Sequence, residues 1–493
     1  MKGMIHINPL YLSNDQMLSI IRDGLIKTAA PKNIMIIGAG MAGLVAGSLL
    51  KEAGHKITII EANDRIGGRI LTKRYPFLNN QYLELGAMRI PSIHHLTLEY
   101  IRKFKLPLNE FINSTPNDLI YVNNVLTTLK DYMQNPDILN FPVAPNEKGK
   151  TAEELLLLSL GPVLEFINQD PVRNLEIVIE KYDQYSMDYF LRYNPVGLSL
   201  STGAIDLIKA IIGIEGFPEL SFTSILMEIY VLFSKDLKLY EITGGTDLLP
   251  NAFLPQLKND IILHQKLTKI VQNEQYVTLY TEHTKTLTKH RVTCDLVICT
   301  IPFTVLNFVE IYPIESISYA KWKAIRELHY TDSVKTGLQF RTRFWEKLGF
   351  FGGKITTDLP IKFSYLPSHQ MGMNTTGIVL ASYTWGDDAF IWNRLSENQR
   401  ISAALNNLAT IYGDIVYKEF LIGSSISWSN NLYSGGAFVI FKPEQQRDFG
   451  KDIGTPEGRI HFAGEHTSSA TAWIQGAIES GIRVAFEINQ SLG

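Results

Sequence analysis

Hydrophobic and polar positions first follow a clear pattern between residues 32 and 69. An apolar run, Ile34 to Ile37, predicts a buried strand, and it leads into a turn with glycine at positions 38, 40 and 43. A helix-like stretch follows and ends at Gly54, and a second apolar run, residues 57–60, stops at the acidic residue Glu61. The pattern therefore predicts the order strand, tight turn, helix, strand and acid.

Each glycine of this turn has its own physical task. Gly38 permits the tight turn, Gly40 lets the backbone approach a pyrophosphate, and Gly43 lets the helix pack closely on the strand. The helix N-terminus offers free N–H groups and a partial positive charge to the phosphates. Glu61 stands where a carboxylate accepts hydrogen bonds from the hydroxyls of an adenosine ribose. For the glycines alone, an ordinary βαβ turn is the alternative interpretation.

The first half of the chain continues with two different patterns. DQMLSIIRDGLIKT, within residues 5–30, predicts an amphipathic helix, and residues 73–130 combine predicted strands around Tyr82–Leu85 and Leu119–Val122. Residues 131–235 then place apolar residues at helical spacing, with proline and glycine at the breaks, in EELLLLSLGPVLEFI, GAIDLIKAIIGI and FTSILMEIYVLF. This third region is therefore predicted to be helical.

Strand patterns return after Gly245. They occupy IILHQKLTKIVQ, YVTLYT and HRVTCDLVICTIP, and residues 331–440 alternate the strand-like runs VKTGLQF, IKFSYL and TGIVLASY with one helix, ENQRISAALNNLATIYG. The tail, GRIHFAGEHTSSATAWIQGAIESGIRVAFEINQ, predicts a short strand, a turn and a final helix. Cys294 and Cys299 lie in one strand-like run, where an offset of five puts them on opposite faces, so we expect two separate core thiols.

Composition narrows the class of protein. A chain of 493 residues predicts two or three domains, and 45% hydrophobic with 19% charged residues is typical of a globular protein. The net charge of −3 favours neither nucleic acid nor an anionic membrane as a partner. The N-terminal sequence lacks the apolar core of a signal peptide, and no apolar run approaches the length of a membrane span, so a cytoplasmic protein is expected.

A second motif follows the acid directly. From Glu61 the chain reads E-x-x-x-R-x-G-G-R, with Arg65, Gly67, Gly68 and Arg69 at the fixed positions, and this run resembles that of the flavin amine oxidases. In that family it wraps the FAD diphosphate, a task that suits fixed cations and a closely approaching backbone. A nicotinamide dehydrogenase has no reason to carry it. The resemblance covers essentially the whole chain, and it implies non-covalent FAD because no cysteine lies near the C-terminal motif.

The C-terminal tail also resembles this family. A predicted strand ends at Phe462-Ala-Gly464-Glu465, and a predicted helix begins near Trp473. The resemblance implies that Glu465 bonds the flavin ribityl chain and that Trp473 forms a wall beside the flavin. It also implies that the helix start faces flavin N1 and the C2 carbonyl, where negative charge collects on reduction. A plain acid at a helix N-terminus and a core tryptophan are the alternatives.

The stretch from Leu85 to Pro91 narrows the resemblance further. Its G-x-M-R-x-P pattern looks like that of L-amino-acid oxidases, in which the arginine, here Arg89, clamps the substrate carboxylate. An ion pair with a structural acid is the alternative. By the same resemblance Tyr383 supports the carboxylate and Lys335 holds a water at flavin N5, with packing or structural roles as alternatives. One departure is Ala472, where these enzymes can have glycine, and it leaves the preferred substrate side chain open.

The resemblance thus assigns two sets of residues. The catalytic set is Lys335, Arg89, Tyr383 and Trp473. The residues expected to contact the cofactor are Gly38, Gly40, Met41, Ala42, Gly43, Glu61, Ala62, Arg65, Gly67, Gly68, Arg69, Gly86, Ala87, Met88, Arg89, Leu267, Gly464, Glu465, Trp473 and Ile474. No metal site is expected.

The predicted fold class is α/β, of the amine oxidase type. It combines a Rossmann-like FAD-binding domain, a substrate-binding domain with a mixed sheet, of α+β character, and a helical domain. The expected boundaries are residues 31–72, 241–330 and 455–493 for the FAD-binding domain, residues 5–30, 73–130 and 331–454 for the substrate-binding domain, and residues 131–240 for the helical domain.

The resemblance implies an FAD-dependent L-amino-acid oxidase, which produces a 2-oxo acid, ammonia and hydrogen peroxide by flavin redox chemistry. No acidic residue can be placed opposite Arg89, so apolar or aromatic substrate side chains are expected, and a homodimer is expected as well. No histidine stands between Lys181 and Asp260, so no general base is assigned. The alternatives are an amine or polyamine oxidase, a tryptophan 2-monooxygenase-like enzyme that makes an amide, and a flavin-binding protein without turnover.

Overall fold

A computed structural model describes residues 12–213, 218–232 and 236–490, which form an α/β fold with several sheets, and the predicted class is confirmed. The described α-helices are α1 (Asn14–Asp23), α2 (Met41–Ala53), α3 (His95–Lys103), α4 (Leu129–Gln134), α5 (Ala152–Gln169), α6 (Pro171–Tyr182), α7 (Met187–Arg192), α8 (Thr202–Ile212), α9 (Phe222–Leu232), α10 (Leu248–Asn251), α11 (Leu254–Leu257), α12 (Phe303–Leu306), α13 (Tyr319–Glu327), α14 (Phe344–Lys347), α15 (Gly386–Asn393), α16 (Glu397–Tyr412), α17 (Ile415–Glu419), α18 (Gln445–Phe449) and α19 (Ile474–Gln490). The described strands are β1 (Asn33–Ile37), β2 (Lys56–Ile60), β3 (Thr72–Lys73), β4 (Leu83–Glu84), β5 (Ile90–Pro91), β6 (Leu108–Glu110), β7 (Leu119–Val122), β8 (Val125–Thr128), β9 (Leu239–Ile242), β10 (Ile261–Ile262), β11 (Gln265–Gln272), β12 (Val277–His283), β13 (Lys289–Cys294), β14 (Leu296–Cys299), β15 (Glu310–Tyr312), β16 (Tyr330–Thr331), β17 (Ser333–Phe340), β18 (Lys354–Thr357), β19 (Phe363–Tyr365), β20 (Gly377–Trp385), β21 (Phe420–Ser427), β22 (Phe438–Val439) and β23 (Ile460–Phe462).

One five-stranded sheet is entirely parallel. Its strand order is β10-β2-β1-β14-β23, and Ile36 at its centre pairs with Ile59 on one side and Ile298 on the other. Helices α2 and α19 pack against each other beside this sheet and share its hydrophobic core. The predicted order of strand, tight turn, helix and strand is confirmed by β1, α2 and β2. The sheet therefore places the glycine turn next to the C-terminal helix.

A second, seven-stranded sheet is mixed, in the order β21-β17-β20-β19-β18-β7-β8. Strand β17 is buried along its whole length, because strands flank it on both sides and hydrophobic side chains cover both of its faces. Polar residues on this strand, Lys335 among them, are therefore withdrawn from bulk water.

Helices α5 to α9 build a hydrophobic core of their own. Helix α5 begins with a capping box, in which the side chains of Thr151 and Glu154 each accept a backbone N–H of the other residue. Leu155, Leu156 and Leu160 lie in this core, as the helical spacing predicts, whereas Leu157 and Leu158 are exposed. Helix α9, FTSILMEIYVL, carries a single charged residue, Glu228, and that residue is buried.

Two predicted strand runs are each divided between two sheets. HRVTCDLVICTIP forms β13 and β14, which separate at Asp295, where the carboxylate accepts the N–H of Asn33. Cys294 and Cys299 thus lie in different sheets and not on opposite faces of one strand, and both are buried and free. IILHQKLTKIVQ likewise forms β10 and β11, with His264 in a left-handed conformation between them. The single-strand predictions were wrong because one polar residue turns the chain while the apolar pattern continues.

Residues 331–440 contain more helix than the sequence indicates. The predicted helix is α16, which begins at a capping box formed by Ser396 and Gln399. Helices α14, α15 and α17 were not predicted, because each spans at most about two turns and so shows no apolar periodicity.

The predicted N-terminal helix is α1, and a capping box of Ser13 and Gln16 begins it. The part of that predicted segment before residue 12 lies outside the described residues. Within the described ranges, every helix is too short or too polar to cross a lipid bilayer.

Candidate functional site

The glycine turn between β1 and α2 has the geometry that its sequence predicts. Gly38 has a φ of 104°, and a Cβ at Gly43 would lie 2.1 Å from the carbonyl oxygen of Gly38. A Cβ at Gly40 would meet nothing within 4 Å, because the backbone there faces an open cavity. Met41 and Ala42 border the same cavity, and the first N–H groups of a helix have no partners within it. The turn is therefore a cradle for an anionic group.

Glu61, which follows β2, is buried in the wall of this cavity. Its two carboxylate oxygens accept the N–H groups of Ala39 and Asn63, each at 2.8 Å. These bonds fix the carboxylate in place, and they leave further lone pairs for the hydroxyls of a ribose. Ala62 and Leu267 line the wall beside it.

The two arginines of the E-x-x-x-R-x-G-G-R loop act differently. Arg65 donates three hydrogen bonds to backbone carbonyls of its own loop, so its guanidinium shapes the loop from inside. Arg69 borders the cavity and forms an ion pair with Glu465 at 2.8 Å. A Cβ at Gly68 would lie 3.3 Å from the Cα of Gly40, so the loop closes tightly on the glycine turn.

Glu465 stands between the C-terminal strand β23 and helix α19. Besides its pair with Arg69, its carboxylate accepts the N–H of Ala472 at 2.7 Å. Ala472 has a φ of 67°, a left-handed conformation that costs an L-residue about 1–2 kcal/mol and that glycine adopts freely. The hydrogen bond to Glu465 stabilises this turn and thereby holds the next residue, Trp473, at the start of the helix.

These segments enclose one cavity, named the main cavity here. The predicted site residues that line it are Gly38, Gly40, Met41, Ala42, Glu61, Ala62, Gly67, Gly68, Arg69, Gly86, Ala87, Met88, Arg89, Leu267, Lys335, Tyr383, Gly464, Glu465, Trp473 and Ile474. The predicted cofactor contacts Gly43 and Arg65 do not line it, since Gly43 serves the close packing of helix on strand and Arg65 holds the loop.

The polar groups of the main cavity fit FAD. Contacts connect Glu61 to the glycine turn, the turn to the loop of Arg69, and Arg69 to Glu465 and the residues before Trp473. This order supplies a carboxylate for a ribose, a backbone cradle and a cation for a diphosphate, and an aromatic wall beyond them. The open space over Gly40, where a side chain would fill the cradle, supports the same fit.

Lys335 is 3% exposed and lies on β17, directly opposite Tyr383 of β20. Its Nζ donates to the carbonyl oxygen of Gly86 at 2.6 Å and lies 4.5 Å from the centre of the Tyr383 ring. Burial, followed by the positive charge of Arg89, lowers the pKa of the Lys335 ammonium to about 7. Near neutral pH this side chain can therefore hold or release a proton at the wall of the main cavity.

Arg89 is half-buried and has neutral hydrogen-bond partners. Its Nη1 donates to Oδ1 of Asn113 at 3.0 Å and to the hydroxyl of Tyr365 at 3.4 Å. Arg89 forms no ion pair with any acid in the ranges that the structure describes, so the alternative of a structural acid gains no support. A second cavity, named the outer cavity, meets the main cavity at Arg89, Tyr383 and Trp385. A guanidinium with uncommitted N–H donors thus lies where the two cavities join.

Several residues that line the main cavity were not singled out from the sequence: Glu228, Trp385, Trp428, Tyr433 and Phe438. The aromatic residues among them gave no local signal: Trp385 and Phe438 lie in strands, Trp428 directly follows a strand, and Tyr433 lies in a turn. Glu228 did give a local sequence signal, since a lone acid in an apolar helix is unusual. Its two oxygens lie 3.2 and 3.3 Å from Nε1 of Trp473, and burial raises the pKa of its carboxyl to about 7.

Known proteins resemble the chain over nearly its whole length. A family model described as flavin containing amine oxidoreductase matches residues 41–489. A protein of Bacillus subtilis (strain 168) named "Putative L-amino-acid oxidase YobN" is 53% identical over 479 residues, which cover 97% of this chain and 99% of that protein. An L-amino-acid oxidase of Siganus canaliculatus is 36% identical over 480 residues, which cover 97% of this chain and 89% of that protein.

Solved structures with the same fold are more distant in sequence. Cyclohexylamine oxidase from Brevibacterium oxydans IH-35A superposes with a TM-score of 0.75 at 18% identity, over 94% of this chain and 100% of that chain. Wild-type putrescine oxidase bound to putrescine superposes with a TM-score of 0.68 at 18% identity, over 93% of this chain and 99% of that chain. At these identities the likeness concerns the fold alone.

Proposed function

The chain belongs to the family of flavin-containing amine oxidoreductases, and from this premise we propose that it is an FAD-dependent oxidase of L-amino acids. The family expected from the E-x-x-x-R-x-G-G-R loop is confirmed, as is the amine oxidase type of fold. The proposed reaction converts an L-amino acid, oxygen and water into a 2-oxo acid, ammonia and hydrogen peroxide.

The observation that carries the proposal is the position of the Arg89 guanidinium and the neutral character of its hydrogen-bond partners. This guanidinium borders the main cavity, and its hydrogen-bond partners among the described residues, Asn113 and Tyr365, are neutral, so it can bind a carboxylate by two parallel hydrogen bonds. Simple amines and polyamines have no carboxylate for such a group. Relatives named as L-amino-acid oxidases, at 36% identity over most of the chain, support the same choice of substrate class.

The other residues of the catalytic set orient the substrate. Tyr383 lines the junction of the two cavities with Arg89, which suits a role in holding the same carboxylate. Trp473 closes the main cavity at the start of α19. Lys335 offers an ammonium that donates inward to Gly86 and that titrates near pH 7, which suits a role in holding water or moving a proton. FAD, when bound, would accept hydride from the substrate Cα and pass the electrons to oxygen.

We further propose that FAD is held without a covalent bond. Among the described residues that line the main cavity there is no cysteine, and the thiols of Cys294 and Cys299 are both buried in one hydrophobic core. Burial raises the pKa of the thiol of each residue to about 12, so neither is a ready nucleophile. The homodimer and the cytoplasmic location stay predictions.

An anaerobic panel tests the function. The purified flavoprotein is mixed with each protein amino acid, with putrescine and with cyclohexylamine, and the loss of oxidised flavin absorbance is followed. Amino acids should bleach the flavin and the two amines should not, and in air the product should be a 2-oxo acid. Bleaching by the amines alone would indicate an amine oxidase, an amide product would indicate a monooxygenase, and no bleaching at all would indicate a binding protein.

A further inference from the structure

Glu228 is a buried carboxylate that the proposed reaction has not used. It lies on α9 and is 8% exposed. It borders both the main cavity and a third cavity, named the side cavity, and Trp473 also borders both. Among the described residues its only hydrogen-bond donor is Nε1 of Trp473, which both carboxylate oxygens share.

A carboxylate in this position has too few partners to be a stable anion. Its oxygens offer about four lone-pair sites, and a single neutral N–H serves them. Burial raises the pKa of the Glu228 carboxyl, and the bond from Trp473 and the positive charge of Arg89 offset this only in part. A ligand that brings a positive charge would supply the missing partner and favour the ionised form.

The other acids that line the main cavity are already engaged. Glu465 is paired with Arg69, and Glu61 accepts two backbone N–H groups. Glu228 interacts electrostatically with Arg89, yet within the described parts of the chain the two form no ion pair. Arg89 and the acid Glu228 therefore border the main cavity, together with Lys335, without forming an ion pair with each other. This arrangement is complementary to a ligand that brings a carboxylate to Arg89 and an ammonium group to Glu228. From the sequence no acid was placed opposite Arg89, and in the structure Glu228 borders the same cavity as Arg89. The expected apolar or aromatic substrate side chain stays a prediction.

We propose that Glu228 binds an ammonium group of the substrate while Arg89 binds its carboxylate. This inference rests on the proposed function, since it takes an amino acid as the ligand. The ammonium can come from two sources, the α-amino group of any amino acid or the side chain of a basic one. Both have the same chemistry, a compact cation that donates hydrogen bonds to a buried carboxylate.

The test compares ligands that differ by one ammonium group. Glu228→Gln keeps the size and the acceptor oxygen of the side chain and removes its charge. The ligands are 4-methylpentanoate, which is leucine without its amino group, leucine itself, and lysine, which adds a side-chain cation. Dissociation constants come from the concentration dependence of flavin absorbance changes on anaerobic mixing of the FAD-loaded proteins. Thermal shifts with the same ligands give a second readout.

The two sources predict different patterns. If Glu228 holds the α-ammonium, leucine and lysine both bind about tenfold or more weaker to Glu228→Gln, because a charge-assisted hydrogen bond is lost, and 4-methylpentanoate binds as in wild type. If it holds a side-chain cation, lysine alone binds weaker. Equal weakening of all three ligands, or no change in any of them, would overturn the proposal. Should Glu228→Gln fail to retain FAD, Glu228→Asp keeps the charge but draws it back, and the same ligand pattern is expected in reduced size.

Two controls separate ammonium binding from a structural role. Trp473→Phe removes the indole N–H but keeps Glu228, so the preference for leucine over 4-methylpentanoate should survive; if it is lost as in Glu228→Gln, Glu228 only positions Trp473 and the proposal falls. Glu219→Gln removes a half-buried acid that does not line the main cavity, and it should leave all three constants unchanged. If wild type prefers leucine to 4-methylpentanoate and Glu228→Gln does not, but no amino acid bleaches the flavin, only the proposed function is refuted. If amino acids bleach the flavin and Glu228→Gln binds all three ligands as wild type does, only this inference is refuted.

Discussion

Replacing Lys335 by methionine should stabilise the protein and slow the oxygen reaction at the same time. The Lys335 ammonium is 3% exposed and donates to the carbonyl of Gly86. Its pKa is lowered from 10.5 to about 7, first by burial and then by the charge of Arg89. The unfolded chain therefore takes up a proton below pH 10.5 that the folded protein accepts only below about pH 7.

The size of the stability effect follows from that difference. A pKa lowered from 10.5 to about 7 corresponds to about 5 kcal/mol of stability lost as the pH falls through this window, and the loss is complete below pH 7. Methionine removes this cost but leaves the carbonyl of Gly86 without its donor, which costs about 1–3 kcal/mol. The variant should thus be more stable than wild type by about 2–4 kcal/mol at pH 6. The difference should shrink, and then reverse, as the pH approaches 10.5.

The measurement is unfolding at pH 6, 8 and 10 with saturating FAD for both proteins. A matched control exists in Lys321→Met. The Lys321 ammonium is also fully buried, with a pKa lowered to about 7, and it donates to the carbonyls of Ile453 and Thr455 outside the main cavity. Both variants should show the same sign of pH dependence. If the stability of Lys335→Met relative to wild type does not change with pH, the Lys335 ammonium is not desolvated as the structure indicates.

The functional half of the prediction distinguishes these two lysines. Lys335 borders the main cavity, so its removal should slow reoxidation of the reduced flavin by oxygen, because a positive charge favours negative charge that develops there. Reduction by substrate should change less, and affinity for a carboxylate inhibitor should barely change, since Arg89 binds that group. Stopped-flow absorbance measures flavin reoxidation, flavin reduction and inhibitor affinity separately. Lys321→Met should reoxidise as wild type does. Normal reoxidation in Lys335→Met with a loss of substrate affinity would make Lys335 a binding or structural residue.

Three further variants or treatments test the rest of the site. Arg89→Ala should keep FAD but lower kcat/KM for amino acids by tens- to thousands-fold, because breaking a charge-assisted pair costs roughly 2–5 kcal/mol, and near-normal activity would refute the carboxylate clamp. Glu61→Ala should purify with low FAD occupancy that excess FAD restores, whereas a fully occupied, inactive protein would place Glu61 at the chemistry instead. Acid or heat should release FAD into the supernatant, and a peptide carrying the mass of FAD would contradict non-covalent binding.

Local sequence predicted those parts of the fold whose causes are local. The turn around Gly40 was predictable because a tight turn, a close approach and a helix start each constrain one glycine, and the structure has all three features. The division of one apolar run at Asp295 was not predictable. The Asp295 carboxylate at the break accepts a hydrogen bond from the N–H of Asn33, which lies 262 residues earlier in the chain. Apolar periodicity reports burial, and it does not report which sheet buries a strand.

At Glu228 in the candidate site, local sequence likewise does not predict which distant residue the side chain contacts. Helix α9 is apolar on every turn, so its sequence predicts a core helix, and a core helix with one acid indicates only that the acid has a partner somewhere. That partner, Trp473, lies 245 residues further along the chain, at a turn that exists because Glu465 accepts the N–H of Ala472. No spacing rule connects a helical segment to that turn. The acid is detectable from sequence, whereas its place in the cavity of Arg89 depends on how α9 packs within the helical core and on where Trp473 lies.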